Sequence, residues 1–295
     1  MKNVKTILFT AMASMMLASC GTTSTVPITG RKHNLLVTDA QVLSLSNQQY
    51  SEFMKTAKVS TNATNTAMVK RVGQRLANAV ETYLRNNGMS SEIQNFSWEF
   101  NLVQNKEANA FCMPGGKIVV YEGLLPITQN EASLAIVLGH EIAHAVAKHS
   151  AEQMSKKIRQ QYGTQIGGAV VGTLFGSDAA SIGTAIAQQG FDLANLKYSR
   201  DDETEADHMG LIFAAMAGYD PQVAISFWQR MSAASGSSQS DFLSDHPSDA
   251  KRIAALKQEM PEALKYYAAS GYAKQTTKST TKKTTTKKTS TRKRR

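Results

Sequence analysis

The stretch HEIAH, residues 140–144, decides how this sequence is interpreted. It follows an apolar run with helical spacing, which predicts a helix over 130–150. His140 and His144 are four residues apart and project from one face, one turn apart, so both imidazoles can share one tetrahedral ion. Glu141 can then lie beside the remaining, water-filled position. The pattern predicts a catalytic zinc site on a helix.

A catalytic zinc ion needs a third protein ligand, and carboxylates further along the chain are the candidates. Glu203 and Asp207 are four apart and share a helix face, whereas Glu205 points away from both. One carboxylate can bind the metal while the other accepts the second ring N–H of a metal-bound histidine. An acidic helix start favoured by the helix dipole is the alternative explanation. His149 lies about half a turn round from His140, so we expect it to face solvent.

Three segments, in this order and spacing, resemble the HtpX/Ste24/BepA-like family of gluzincin zinc metallopeptidases, which includes bacterial periplasmic lipoproteins. They are HEIAHAVAKHS (140–150), SRDDETEADHMG (199–210) and DHPSDAKRI (245–253). The resemblance covers roughly Asp39 to Met260. It implies an α+β fold: a mainly α-helical gluzincin metallopeptidase domain with one small β-sheet whose edge strand borders the active site.

The resemblance implies a role for each matching residue near the metal. His140, His144 and Glu203 correspond to the ligands of one Zn²⁺ per chain. Glu141 corresponds to the general base, and Asp207 to a residue that supports a ligand from behind. These assignments make the chain a zinc metalloendopeptidase by resemblance.

Two further family elements are present. His246, followed by Pro247 and by Arg252, matches a histidine that in relatives lies close to the metal, where it assists the transition state or latches the open position, and an arginine that supports the site. The segment NAFCMPGGKIVV (109–120) resembles the family's segment that ends in an active-site edge strand, along which an extended peptide can add. The residues predicted to bind substrate are Asn109, Gly116, Lys117, Ile118 and Val119.

Cysteine usage excludes a disulfide scaffold, because the chain has only Cys20 and Cys112. Cys112 departs from the resembled family, where a small residue is common. Its thiol is either inert packing or a redox-sensitive group near the cleft.

The net positive charge of the chain comes from its C-terminal segment. Ten of the 33 Lys and Arg residues, and no acid, lie in 271–295, so residues 1–270 carry 23 charges of each sign. The folded body is therefore not predicted to bind specific nucleic acid. The Lys/Thr-rich tail at 271–295 is predicted to be disordered. It either contacts polyanions such as anionic lipid or has no partner.

The N-terminal residues predict export and lipid anchoring. Residues 1–19 have a basic start and a short apolar run, as a signal peptide does. Leu17 to Cys20 (LASC) resembles the bacterial lipobox, which implies lipid attachment to Cys20. The protein is then anchored in the bacterial cell envelope and faces the periplasm, and Gly21 favours the outer membrane. A tether over 20–38 is expected to lead into a peptidase domain over 39–270.

The body is predicted to be mainly helical. The segment Ile166–Gly190, rich in Gly and Ala, is predicted to be a helical hairpin or lid, with a membrane-contacting loop as the alternative. The predicted helices are 39–58, 67–87, 130–150, 199–217, 220–234 and 248–258, and the predicted strands are 95–103 and 117–121.

The sequence thus predicts a zinc-dependent endopeptidase that hydrolyses unfolded or misassembled cell-envelope proteins. One alternative is a latent zinc-dependent chaperone or assembly scaffold whose active site is capped by His246. A peptidoglycan hydrolase is a third, less supported interpretation.

Overall fold

The computed structural model describes residues 22–165, 184, 186–235 and 250–272. Within these ranges, helices longer than one turn are α1 (Asp39–Thr56), α2 (Ala63–Asn86), α3 (Glu131–Val146), α4 (His149–Gln165), α5 (Arg200–Met216), α6 (Val223–Ser235) and α7 (Ala250–Ala269). Ser90–Ile93 and Leu125–Thr128 are single-turn helices, and Glu122–Leu124 is a 3-10 turn. The strands are β1 (Thr22–Thr25), β2 (Lys32–Leu35), β3 (Glu99–Val103), β4 (Ala110–Met113) and β5 (Lys117–Tyr121). The mainly helical α+β fold is confirmed, with two small sheets in place of the predicted one.

A close approach of α3 and α5 forms the centre of the domain. A β-carbon on Gly139 would lie 2.6 Å from the carbonyl oxygen of Gly210, and one on Gly210 would lie 2.6 Å from the backbone nitrogen of His140. Glycine at both positions therefore lets the two backbones touch. The contact sets the first histidine of HEIAH directly against α5, and both helices pack into the main apolar core with α2.

The three-stranded sheet has the order β3-β5-β4. β3 runs parallel to β5, β4 runs antiparallel to it, and both sides of β5 are paired. Lys117, Ile118 and Val119 are therefore in the central strand, and their prediction as a substrate-binding edge is wrong. The cause is β4, a fully buried strand that is absent from the predicted strands. Gly115 and Gly116, both with positive φ, turn the chain from β4 into β5.

Residues 22–35 form a hairpin, so the prediction of a tether over 20–38 is wrong where the structure describes it. β1 and β2 pair antiparallel, and Leu35 to Val37 are buried. Arg31 binds Glu152 of α4 through Nη1 (2.7 Å) and Glu205 of α5 through Nε (2.8 Å). These partners are more than a hundred residues away along the chain, so local composition does not indicate the docking.

Most predicted helices are present with shifted ends. The helix predicted over 130–150 stops at Val146, because Lys148 adopts a left-handed conformation (φ 58°), and α4 begins at His149. The final helix continues well beyond the predicted 258. None of the helices described combines the length and apolar character needed to cross a bilayer.

Several predictions concern residues outside the ranges described. These residues include the signal peptide with Cys20, most of the predicted hairpin or lid (166–183 and 185), the loop with His246 and Pro247, and the tail from 273. The corresponding statements stay predictions.

Acid should weaken the docking of the N-terminal hairpin. Burial raises the pKa of Glu152 and Glu205, but hydrogen bonds from Arg31 and from histidines outweigh it and lower both values to about 2. In an unfolded chain these groups titrate near pH 4.3. Since both folded pKa values are depressed, the stabilisation is present above about pH 4.5 and is lost as the pH falls toward 2.

We therefore expect Arg31→Met to flatten this pH dependence. The free energy of unfolding, measured with urea and a metal chelator at about pH 5 and about pH 3, should fall less between the two pH values in the variant than in the wild type. Lys32→Met removes the same charge from the exposed neighbour and should behave like the wild type. An equal fall in Arg31→Met and the wild type would contradict the assignment.

Candidate metal centre

The two histidines of α3 lie side by side in the interior. Asn130 caps the helix by accepting a hydrogen bond from the Ser133 N–H (2.8 Å). One helical turn separates His140 from His144, and both are 1% exposed. Their Nε2 atoms are 3.1 Å apart. Both imidazole edges therefore point into one small buried space.

Glu203 closes this space from the first turn of α5. Ser199 and Asp202 form a capping box that begins the helix. The Oε2 atom of Glu203 is 3.4 Å from Nε2 of His140, and its Oε1 atom is 3.5 Å from Nε2 of His144. The structure thus brings together the three residues that the resemblance implied as ligands.

The geometry of this group fits a metal ion. Ligand atoms of the two histidines and Glu203 all lie within 4.8 Å of one another. Tetrahedral zinc with bonds of about 2.0–2.2 Å separates its ligand atoms by about 3.3 Å, close to the separations found. Two imidazole nitrogens and one carboxylate also match the donor types of catalytic zinc sites.

Asp207 lies behind His140, one helical turn after Glu203. Its Oδ1 accepts a hydrogen bond from Nδ1 of His140 at 2.9 Å. Burial lowers the pKa of His140, but hydrogen bonds to Asp207 and Glu203 raise it to about 9. The negative charge around this imidazole therefore favours a cation there. The bond from Nδ1 also turns the Nε2 lone pair toward the space shared with His144.

Arg252 joins both acidic residues from α7. Its Nη2 donates to Oε2 of Glu203 (3.1 Å) and to Oδ1 of Asp207 (2.9 Å), while its Nε donates to Oδ2 of Asp207 (2.5 Å). The guanidinium carbon lies 3.9 Å from the centre of the Trp228 ring. Burial raises the pKa of Asp207, but Arg252 and His140 outweigh it and lower it. Arg252 thus holds the carboxylates of the site.

Glu141 is buried beside the histidines at 3% exposure. Burial, with a smaller contribution from the charge of Glu141, raises the pKa of the Cys112 thiol well above its usual value. A buried, protonated thiol is unreactive, so the structure favours inert packing for Cys112. β4, which carries Cys112, packs against α3, the helix that carries the base candidate.

Tyr198 is a site residue that the sequence analysis missed. Its ring stacks on the His144 ring with centroids 4.1 Å apart and planes 17° from parallel, and its hydroxyl is 2.9 Å from that of Ser150. Burial raises its pKa above the usual value. The only signal was an aromatic residue before the helix cap at Ser199, which indicates a helix start and not a site.

The prediction that His149 faces solvent is wrong, since it is fully buried. Its Nδ1 lies 2.8 Å from Nδ1 of His144, and its Nε2 lies 3.0 Å from Oε2 of Glu205. The predicted orientation assumed one continuous helix from 130 to 150. The left-handed turn at Lys148 breaks that helix, and no Gly or Asn marks the turn in the sequence.

The other residues predicted to bind substrate have structural contacts. Asn109 precedes β4, and its backbone oxygen accepts from Tyr121 (3.0 Å). Gly116 lies against the Trp98 ring, which an added β-carbon would meet at 2.4 Å. The Lys117 ammonium group donates to Glu99 (2.7 Å).

Comparison with known proteins identifies the family. The model of Peptidase family M48 matches residues 63–260. The chain belongs to this family. The family predicted from the three segments is therefore confirmed.

Individual M48 relatives match over much of the chain. The mitochondrial metalloendopeptidase OMA1 of Schizosaccharomyces pombe is 38% identical over 179 residues, 59% of this chain and 50% of the relative. Human mitochondrial metalloendopeptidase OMA1 is 31% identical over 81% of this chain and 46% of its own length. The beta-barrel assembly-enhancing protease of Escherichia coli is 25% identical over 86% of this chain and 51% of its own. The chain thus spans about half the length of these relatives.

Removing Arg252 from this M48 site should expose how strongly it holds the two carboxylates. Arg252→Met leaves Glu203 and Asp207 buried without their shared cation. We expect the free energy of unfolding of the metal-free protein, measured with urea, to fall by about 3–5 kcal/mol. Arg71→Met breaks an exposed pair with Glu131 and should cost much less, because solvent screens that pair. Similar losses in both variants would contradict this role.

Proposed function

We propose that the protein is a zinc-dependent endopeptidase. The observation that carries the proposal is the convergence of His140, His144 and Glu203 on one buried space, with Glu141 on the same helix, in a chain of family M48. The names of the relatives, which are metalloendopeptidases and a protease, support this reaction class.

In this proposal each residue has one role. His140, His144 and Glu203 hold one Zn²⁺ per chain, which supplies Lewis-acid chemistry by acidifying water and polarising the scissile carbonyl. Glu141 takes the proton of the attacking water and passes it to the leaving amine. Arg252 acts through Glu203 and Asp207, because its guanidinium donates hydrogen bonds to both carboxylates.

Glu141→Gln tests the general base. The variant should retain zinc, since none of the three ligands changes, but lose casein cleavage by at least about 100-fold. His140→Ala is the matched control, because it should lose both zinc and cleavage. Metal analysis of the purified proteins and the rate of casein degradation measure the two properties. Cleavage at the wild-type rate by Glu141→Gln would reject the assigned base.

We further propose that an extended peptide adds to the outer side of β4. The four residues of β4 are at most 6% exposed, so what covers this edge has to move aside when the peptide binds. Within the described part of the chain, β4 is an outer strand, and it packs against α3. The other outer strand, β3, is less suitable. Residues 58–60 already form backbone hydrogen bonds with residues 102–104 along its edge, through the N–H groups of Ser60 and Gln104. Strand addition requires an unfolded segment, so native proteins should be poor substrates.

Backbone methylation of a peptide substrate tests strand addition. Alternate N–H groups of an added strand face β4, and the others face away. We therefore expect N-methylation of one alternate set, excluding the scissile nitrogen, to raise KM about tenfold or more through lost hydrogen bonds. Methylation of the other set is the control and should leave KM nearly unchanged. Equal effects of both sets on measured KM would exclude this binding mode.

We propose the bacterial cell envelope as the place of action, with unfolded or misassembled envelope proteins as substrates. The lipobox-like LASC at 17–20 supports a lipid anchor on Cys20, and the relative named for β-barrel assembly supports the substrate class. The basic residues of 273–295 would contact anionic lipid or another polyanion. Envelope proteins that accumulate uncut in cells carrying only Glu141→Gln would be the substrates.

A further inference from the structure

The two candidate metal-binding histidines are supported differently on the side away from the metal. Nδ1 of His140 meets a carboxylate directly, that of Asp207. Nδ1 of His144 meets another imidazole, with 2.8 Å between it and Nδ1 of His149. Both rings of this pair are buried, so the question is which of the two nitrogens carries the proton.

The geometry allows one assignment that is consistent with metal binding. A ligand nitrogen must offer a lone pair, so the proton of neutral His144 belongs on Nδ1 when Nε2 faces the metal. Nδ1 of His149 then accepts that hydrogen bond and carries no proton. A neutral His149 has its own proton on Nε2, which lies 3.0 Å from Oε2 of Glu205 and donates to it.

The carboxylate of Glu205, at the end of this series of hydrogen bonds, is itself fixed in place. Glu205 accepts from Arg31 Nε (2.8 Å) and from the Thr29 hydroxyl (2.5 Å), both in the N-terminal hairpin. These two donors fix the position of the carboxylate, and its Oε2 atom also lies within hydrogen-bond distance of Nε2 of His149. A carboxylate held by these donors accepts the third hydrogen bond, so Glu205 orients the proton of His149 on Nε2.

We propose that His149 is a positioning residue that, together with Glu205, holds His144 in the tautomer and ring orientation that bind the metal. This inference rests on the metal site of the proposed function and extends it to residues that touch neither metal nor substrate. A carboxylate orients each imidazole. Asp207 orients His140 through one direct hydrogen bond, whereas Glu205 orients His144 through two, with His149 between them. The hairpin residue Arg31 anchors the outer end.

Two substitutions of His149 separate positioning from packing. His149→Phe keeps a ring of similar size but removes the acceptor, so the Nδ1–H of His144 is left buried without its partner. Zinc affinity, measured by competition with a chromogenic chelator, should weaken about 10- to 100-fold. His149→Asn is smaller, but its Oδ1 falls near the position of Nδ1 and can accept. The Asn variant should therefore bind zinc about tenfold more tightly than the Phe variant.

Two glutamates that share Arg31 provide a matched pair of variants. Glu205→Ala and Glu152→Ala each remove one carboxylate from Arg31, but only Glu205 accepts from His149. Glu205→Ala should weaken zinc binding about tenfold or more, whereas Glu152→Ala should change it by less than about threefold. The midpoint of thermal unfolding of each metal-free variant measures separately how much stability the substitution removes.

The outcomes distinguish this inference from the proposed function. Rescue of zinc affinity by Asn at 149, with a larger loss for Glu205→Ala than for Glu152→Ala, supports the positioning role. Unchanged affinity in His149→Phe, or Phe performing better than Asn, overturns it while leaving the zinc site intact. A wild-type protein that binds no zinc overturns both.

Discussion

The contact between Gly139 and Gly210 is the constraint on which the candidate site depends. Side chains on α5 can reach the histidines of α3 only because the two helix backbones touch, and any β-carbon at either glycine would enter the other helix. The contact lies one residue before His140 and three residues after Asp207. Close backbone approach therefore determines which carboxylates meet which imidazoles, and packing of the surrounding apolar core keeps the helices there.

Charge balance explains how such a site can be stable in the protein interior. Two buried carboxylates without a partner would cost several kcal/mol each. Arg252 pairs with both Glu203 and Asp207, and the Trp228 face covers its guanidinium. Because the carboxylates are held by this cation and by hydrogen bonds, the ligand group is already arranged to receive a divalent ion. Pre-arranged ligands are what a catalytic site needs, since ordering them upon binding would weaken affinity.

The parts predicted correctly from the sequence are those that local spacing encodes. The positions of His140 and His144 on one helix follow from a four-residue interval, and the start of α5 follows from its capping residues. The errors arise where distant segments decide the outcome. Whether Lys117 lies at an edge depends on β4, the burial of His149 depends on an unmarked turn, and the hairpin depends on Glu152 and Glu205 far along the chain.

Two sets of hydrogen bonds, here called arms, support the two candidate metal-binding imidazoles. One runs from His140 through Asp207 to Arg252 of α7, near the C-terminal end of the part described. The other runs from His144 through a histidine and a glutamate to the N-terminal hairpin. Each arm is complete only where its outer residue, Arg252 of α7 or Arg31 of the N-terminal hairpin, contacts α5. In a protein proposed to cut peptide bonds with a bound metal, this arrangement links the support of the proposed ligands to the docking of α7 and of the N-terminal hairpin, so metal affinity should depend on both contacts.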